Sequence, residues 1–160
     1  MTTTNTDTSA PTPPTAASMP AGYVTGVAYE AIIAFIRSQQ EERGYTQPQF
    51  WLLRNLSPND LSPDGQGMSV AELRDAMSTY LRAEDDLESE ARVLLEKGWL
   101  DRDESDRLWI TPAGESALVT LKQFAPAIGA LLHKGIDDAD YATTVRVLTQ
   151  LIENAGGQLS

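Results

Sequence analysis

Residues 94–117, LLEKGWLDRDESDRLWITPAGESA, change hydrophobic period twice in two dozen positions, and this constrains the fold more than any other stretch. Up to Lys97 the apolar residues recur at helical steps, and Gly98 ends that pattern. Trp99-Leu100 and Leu108-Trp109-Ile110 are apolar and β-prone. Seven residues lie between them, and six of those are charged. Two short apolar runs around a polar spacer predict a hairpin with a charged tip. Thr111-Pro112 then predicts a new helix, with Thr111 as its N-cap and Pro112 at its first position. Helix, hairpin and helix therefore follow one another in fixed register.

The rest of the chain reads as helices around this unit. Val24, Val27, Ala28, Ala31, Ile32, Phe35 and Ile36 form one apolar stripe on a helix over residues 23–43, closed by Gly44. Thr46 and Pro48 open a second helix, TQPQFWLLRNL, that is apolar on nearly every side and so predicted to be buried. Residues 57–68, SPNDLSPDGQGM, are turn formers throughout. Ser69 with Glu72 matches a capping box ahead of a short helix bearing Val70, Leu73 and Met77. A further helix is predicted over residues 83–97, with Leu87, Ala91, Leu94 and Leu95 inward. The helix from Pro112 is predicted to run towards Gly135, bent at Pro126. The last begins near Asp137 or Asp138, is striped by Tyr141, Val145, Leu148 and Ile152, and ends at Gly156-Gly157. Residues 1–22, rich in Thr, Ala, Ser and Pro, contain no aromatic and read as a disordered tail.

Composition removes several function classes. The chain of 160 residues has no Cys, which excludes disulfides, thiol redox chemistry and thiolate metal sites. Its one His, His133, stands alone on an apolar stretch and reads as structural, which leaves no plausible His-based triad; a His-rich metal cluster or a pair of catalytic histidines cannot be assembled within one chain. The acid pairs Asp85-Asp86 and Asp137-Asp138 are adjacent, so each pair points to different faces of a helix. Helix initiation explains them better than acid–base catalysis. No glycine-rich phosphate loop occurs. An enzyme is not expected, and no cofactor or metal is implied. There is no apolar run of about 18 residues and no N-terminal signal pattern, so the chain reads as soluble and cytoplasmic, without a membrane partner.

The predicted fold class is mainly α with a small β-hairpin wing: a winged helix-turn-helix head between N- and C-terminal helices. In this order of elements the sequence resembles the MarR family of bacterial transcription regulators. The resemblance is carried by YTQPQFWLLRNL before the head, MSVAELRDAMS, LLEKGWLDR and DRLWITPAGESAL, and it spans residues 23–156. It implies a head over about residues 57–111, and terminal helices over about residues 23–43 and 112–156 that join two copies into a homodimer. It further implies binding of a pseudo-palindromic double-stranded DNA in the bacterial nucleoid, and a small aromatic effector held between the dimer helices and the head. Two departures stand out. The wing tip is short, leaving Asp106-Arg107 near the place where the family carries a groove-entering Arg. The linker STYLRAE is longer than the usual tight turn.

Charge works against DNA as a partner. The formal net charge is −11, and over residues 57–107 fourteen acids face six bases. Each phosphate contact needs a cation to displace counterions. With Leu87, Ala91 and Leu94 inward, the outward face of the helix over residues 83–97 holds Asp85, Ser89, Arg92 and Glu96. Candidate DNA-binding residues are therefore Arg82, Asp85, Ser89, Arg92, Arg102 and Arg107, with Glu84, Asp85 and Asp86 serving either helix initiation or base reading. Tyr29, Phe50 and Trp51 are the candidates for an effector pocket. Two functions remain open: a dimeric DNA-binding regulator, and a winged-helix interaction module whose acidic head binds a basic protein instead of DNA.

Overall fold

The structure is a computed structural model that describes residues 15–159. The first fourteen residues of the expected tail lie outside the described residues. Ala16–Ser18 make one 3-10 turn, and α1 (Ala21–Glu42) starts two residues before the expected Tyr23. It stops where Gly44 takes a φ of 88°, which a side chain would disfavour. α2 (Gln47–Leu56) follows after a complete capping box between Thr46 and Gln49. α3 (Val70–Ala76) opens with the second capping box, Ser69 with Glu72. Then come α4 (Leu87–Glu96), the antiparallel strands β1 (Leu100–Arg102) and β2 (Leu108–Ile110), α5 (Pro112–Lys122), α6 (Ala125–Leu132) and α7 (Asp138–Asn154).

Three elements differ from expectation. The helix predicted over residues 83–97 begins only at Leu87. The carboxylate of Asp86 accepts from the Ser89 N–H at 3.1 Å and caps the helix there, while Asp85 is drawn away by Arg37. The long helix towards Gly135 is two helices, α5 and α6. Pro126 has no N–H to continue the ladder and takes the first turn of α6 instead. His133 lies exposed at the end of α6, its ring 4.3 Å from that of Tyr141. The wing also gains a rung that sequence periodicity did not show: Met68 pairs with Leu108 through two backbone hydrogen bonds, of 3.1 and 2.8 Å.

The core belongs to the head and to the helices next to it. Leu52, Leu53 and Leu56 of α2 meet Leu73, Met77, Leu87, Ala91 and Leu94, and Leu100, Leu108, Leu118 and Leu121 complete the cluster. As predicted, α2 is the buried helix, although Phe50 and Trp51 are only half-buried. Gly114 explains part of the ITPAG pattern. A Cβ there would collide with the carbonyl oxygen of Trp99, so only glycine lets α5 start hard against the hairpin. Asp60 ties the turn after α2 to both neighbouring helices, accepting from Arg54 at 3.0 Å and from Lys122 at 2.5 Å. Burial pushes its carboxyl pKa up, but these two cations win and hold it below the ordinary value.

Candidate nucleic-acid interface

α3, the linker after it, α4 and the β1–β2 wing form a winged helix-turn-helix head, the class of fold that carries a helix into a DNA groove. Leu87, Ala91 and Leu94 face the core, leaving Ser89, Arg92, Val93 and Glu96 on the exposed side of α4. Arg92 makes no ion pair among the described residues, and neither does Arg74 of α3. The hydroxyl of Ser89 donates to Asp86 at 2.7 Å, so the cap already occupies it.

The other candidate residues do not present free groups on this face. Asp85 is turned inward, with its side chain 8% exposed, and accepts both Nη1 and Nη2 of Arg37 at 2.8 Å. This corrects its placement as a base-reading residue. Arg37 chiefly, with the Arg82 N–H, holds its carboxyl below the ordinary pKa despite burial. Arg82 reaches back to Glu30 at 2.9 Å. Arg102 is held by Glu88 at 2.7 Å and by Asp106 at 3.0 Å. Arg107 folds onto the wing's own base, where its Nε donates to the Gly67 carbonyl at 2.9 Å and Glu72 lies 3.1 Å away. Arg82, Arg102 and Arg107 were expected to supply the positive field, and each is instead neutralised within the chain.

Many of the head's acids have local structural duties that their number alone did not reveal. Asp86 caps α4. Glu90 accepts from Thr46 Oγ1 at 2.9 Å and from Gln49 Nε2 at 2.7 Å, joining α4 to the start of α2. Asp103 accepts from the Ser105 and Arg107 N–H groups and from Trp109 Nε1, which shapes the short wing tip. The Arg107 N–H, then the Trp109 indole, hold the Asp103 carboxyl below the usual range. Asp106 takes a left-handed φ of 61° at the tip, a conformation that Asp tolerates better than most residues.

The effector candidates separate. Phe50 lines a cavity of about 190 Å³ between α1, α2, α5 and α6, together with Ile36, Gln40, Tyr45, Leu121 and Ile128. Trp51 is elsewhere, stacked on Tyr80 with ring centroids 3.7 Å apart. Tyr29 projects 54% exposed from α1 and takes no part in the cavity. Of the three candidates, only Phe50 lines this cavity. Tyr45 is the aromatic that the sequence reading missed. It follows the Gly44 turn directly and is buried against Phe50 and Phe124.

No family model matches the chain, and none of the curated proteins matches it. Solved structures do match. MarR from E. coli in its reduced form is 18% identical, with a TM-score of 0.60, covering 84% of this chain and 94% of its own. A MarR family protein of Mycobacterium tuberculosis is 21% identical, with a TM-score of 0.65, covering 82% and 93%; it has also been solved in complex with p-aminosalicylic acid. BpsR of Bordetella bronchiseptica, whose DNA binding is regulated by 6-hydroxynicotinic acid, is 20% identical, with a TM-score of 0.55, covering 86% and 96%. The chain therefore has the MarR winged-helix fold over nearly its whole described length.

Proposed function

We propose that the protein is a dimeric, sequence-specific DNA-binding regulator of the MarR type, working in the bacterial cytoplasm and on the nucleoid. The observation that carries this reading is the outer face of α4, where Arg92 stands exposed on a winged head and makes no ion pair among the described residues. α4 enters the major groove of a pseudo-palindrome, Arg92 reads a base edge or holds a phosphate, and Arg74 of α3 adds a second cation. The exposed stripes of α1 and α7 pair across a two-fold axis. A small aromatic effector enters the Phe50 cavity and changes the spacing of the heads. No catalytic role is assigned. Selection from a random DNA pool at low salt tests the reading: a recovered palindrome supports it, and no enriched palindrome ends it.

The pairing of Arg82, Arg102 and Arg107 favours a second reading, in which the acidic head binds a basic protein. Exposed Asp75, Glu84, Glu96, Asp101 and Glu104 make no ion pair among the described residues and would face that partner. Under this reading the DNA selection fails, Arg92→Ala has no effect, and a basic polypeptide is held at low salt and released at high salt.

A further inference from the structure

The long linker between α3 and α4, which departs from the family's tight turn, is gripped by α1. Glu30 and Arg37 are seven residues apart, two helical turns, and so share one side of that helix. Glu30 accepts from Arg82 of the linker at 2.9 Å. Arg37 does more. Its Nε donates to Gln47 Oε1 at 2.8 Å, Nη1 and Nη2 clamp the Asp85 carboxylate at 2.8 Å each, and Nη2 also donates to the Tyr80 carbonyl at 3.2 Å. Asp85 in turn accepts the Arg82 N–H at 2.7 Å, which closes the linker on itself one residue before the α4 cap. Tyr80 adds its stack on Trp51, and the guanidinium of Arg54 lies 4.5 Å over the other partner in that stack.

We infer that Arg37 and Asp85 form a positioning latch, through which the orientation of α1 sets the angle of the recognition helix α4. The geometry is specific to this purpose. A planar guanidinium gripping a carboxylate through two parallel bonds fixes direction as well as distance, which a lysine at the same place would not do. Both side chains are largely buried, so the pair is poorly screened and holds the chain one residue before the α4 cap. The buried and half-buried residues of α1 begin only at Ile33, so the rest of the chain covers just its C-terminal half. A tilt of α1 therefore reaches α4 by way of this linker. The effect on DNA rests on the reading of α4 as the recognition helix, whereas the mechanical link stands on the contacts alone.

The chain has no Cys, so two introduced ones label cleanly. Spin labels at Ser38→Cys on α1 and Ser105→Cys on the wing tip, diluted into excess unlabelled protein, give the distance within one chain. One narrow distance is expected with the latch intact. Arg37→Met and Asp85→Asn should each broaden it, the double variant should broaden it no further, and Arg37→Lys should fall between. Asp85→Asn keeps a side chain of the same shape, so it guards against a variant that fails to fold. A distribution unchanged in both single variants overturns the latch, whether or not the protein binds DNA. Where wild-type protein selects a palindrome, the same variants should lose at least ten-fold in preference for that spacing over one lengthened by a base pair. Affinity for unrelated DNA should stay unchanged. Equal losses on all sequences would make the pair merely structural and overturn its positioning role.

Discussion

The head and the terminal helices bury their apolar residues very differently. In the head and the α2 helix beneath it, Leu52, Leu53, Leu73, Leu94 and Leu108 are wholly sealed, and every long apolar side chain on the inner face of α4 meets a neighbour from the same chain. α7 has no buried residue at all, and α1 has only Gln40. Val27, Ile32, Val145 and Leu151 stand between 39% and 54% exposed on helices that also carry apolar stripes. Periodicity reports that a face needs cover; it does not report who supplies the cover. The head is complete within one chain, whereas the terminal stripes are what a second copy would bury.

The strongest way to break that contrast is to damage each region in turn. Leu94→Ala removes a sealed side chain from the centre of the head and should cost about 2–5 kcal/mol. That is a large fraction of the total stability of a domain this size, so a substantial unfolded population should appear by circular dichroism. Ile32→Asp places a charge on the exposed stripe instead. It should shift sedimentation from dimer to monomer while the head stays folded. A Leu94→Ala chain that melts like wild type would show that the core is misassigned. A wild-type chain sedimenting as a folded monomer at micromolar concentration would remove the reason for the exposed stripes.

What the sequence revealed follows the same division between local and distant causes. The caps at Thr46, Ser69 and Thr111 form as read, and of the two acids near the start of α7 it is Asp137 that caps it, because a side-chain oxygen and an N–H two or three residues on decide each one. The hairpin, its short charged tip and the Thr-Pro helix start are equally local. The start of α4 was not legible in this way: Asp85 looks like a first-turn acid until Arg37, 48 residues earlier, captures it. The candidate interface suffered for the same reason. Arg82, Arg102 and Arg107 look free in a one-dimensional pattern, and their partners Glu30, Glu88 and Glu72 are set by the packing of helices. Arg92 differs from them in making no ion pair among the described residues.

Asp85 offers the next largest effect and separates a tertiary tie from a surface charge. Removing one member of a largely buried pair strands the other, so Asp85→Ala should cost about 3 kcal/mol. The folded carboxyl lies below its unfolded pKa, so the pair stabilises fully above the unfolded value. That stabilisation is lost as pH falls through the folded one. The gap in urea midpoint between wild type and Asp85→Asn should therefore be widest near neutral pH and shrink below about pH 4. A gap independent of pH would remove the charge from the explanation.

Arg92 comes next. Arg92→Ala should weaken binding to the selected site by about 1–3 kcal/mol and relax preference at one base position. Arg107→Ala should loosen the wing without that base-specific loss, since its donors are spent on Gly67 and Glu72. Among the described residues of each head Arg74, Arg92 and Lys97 make no ion pair, so a dimer neutralises roughly six phosphates. Log affinity should then fall against log salt with a slope of about −5. A slope much steeper than this would mean that the internal ion pairs open on DNA.

The smallest effect comes from the helix caps, and it sharpens the contrast between regions. Ser69→Ala removes one half of the α3 capping box, and Asp137→Ala removes the acceptor for the Ala139 N–H at 2.8 Å on α7. Each should cost about 1 kcal/mol, and the cost should be felt in different places. α3 is locked into the head core by Leu73, so Ser69→Ala should lower the melting temperature by the same amount at any protein concentration. α7 has no fully buried residue within its own chain, so Asp137→Ala should weaken association instead. Its melting deficit should grow on dilution into the range where the dimer dissociates, because only the partnered helix depends on that cap. Two concentration-independent deficits of equal size would mean that α7 is stabilised within its own chain, and that the two regions differ less than their exposure suggests.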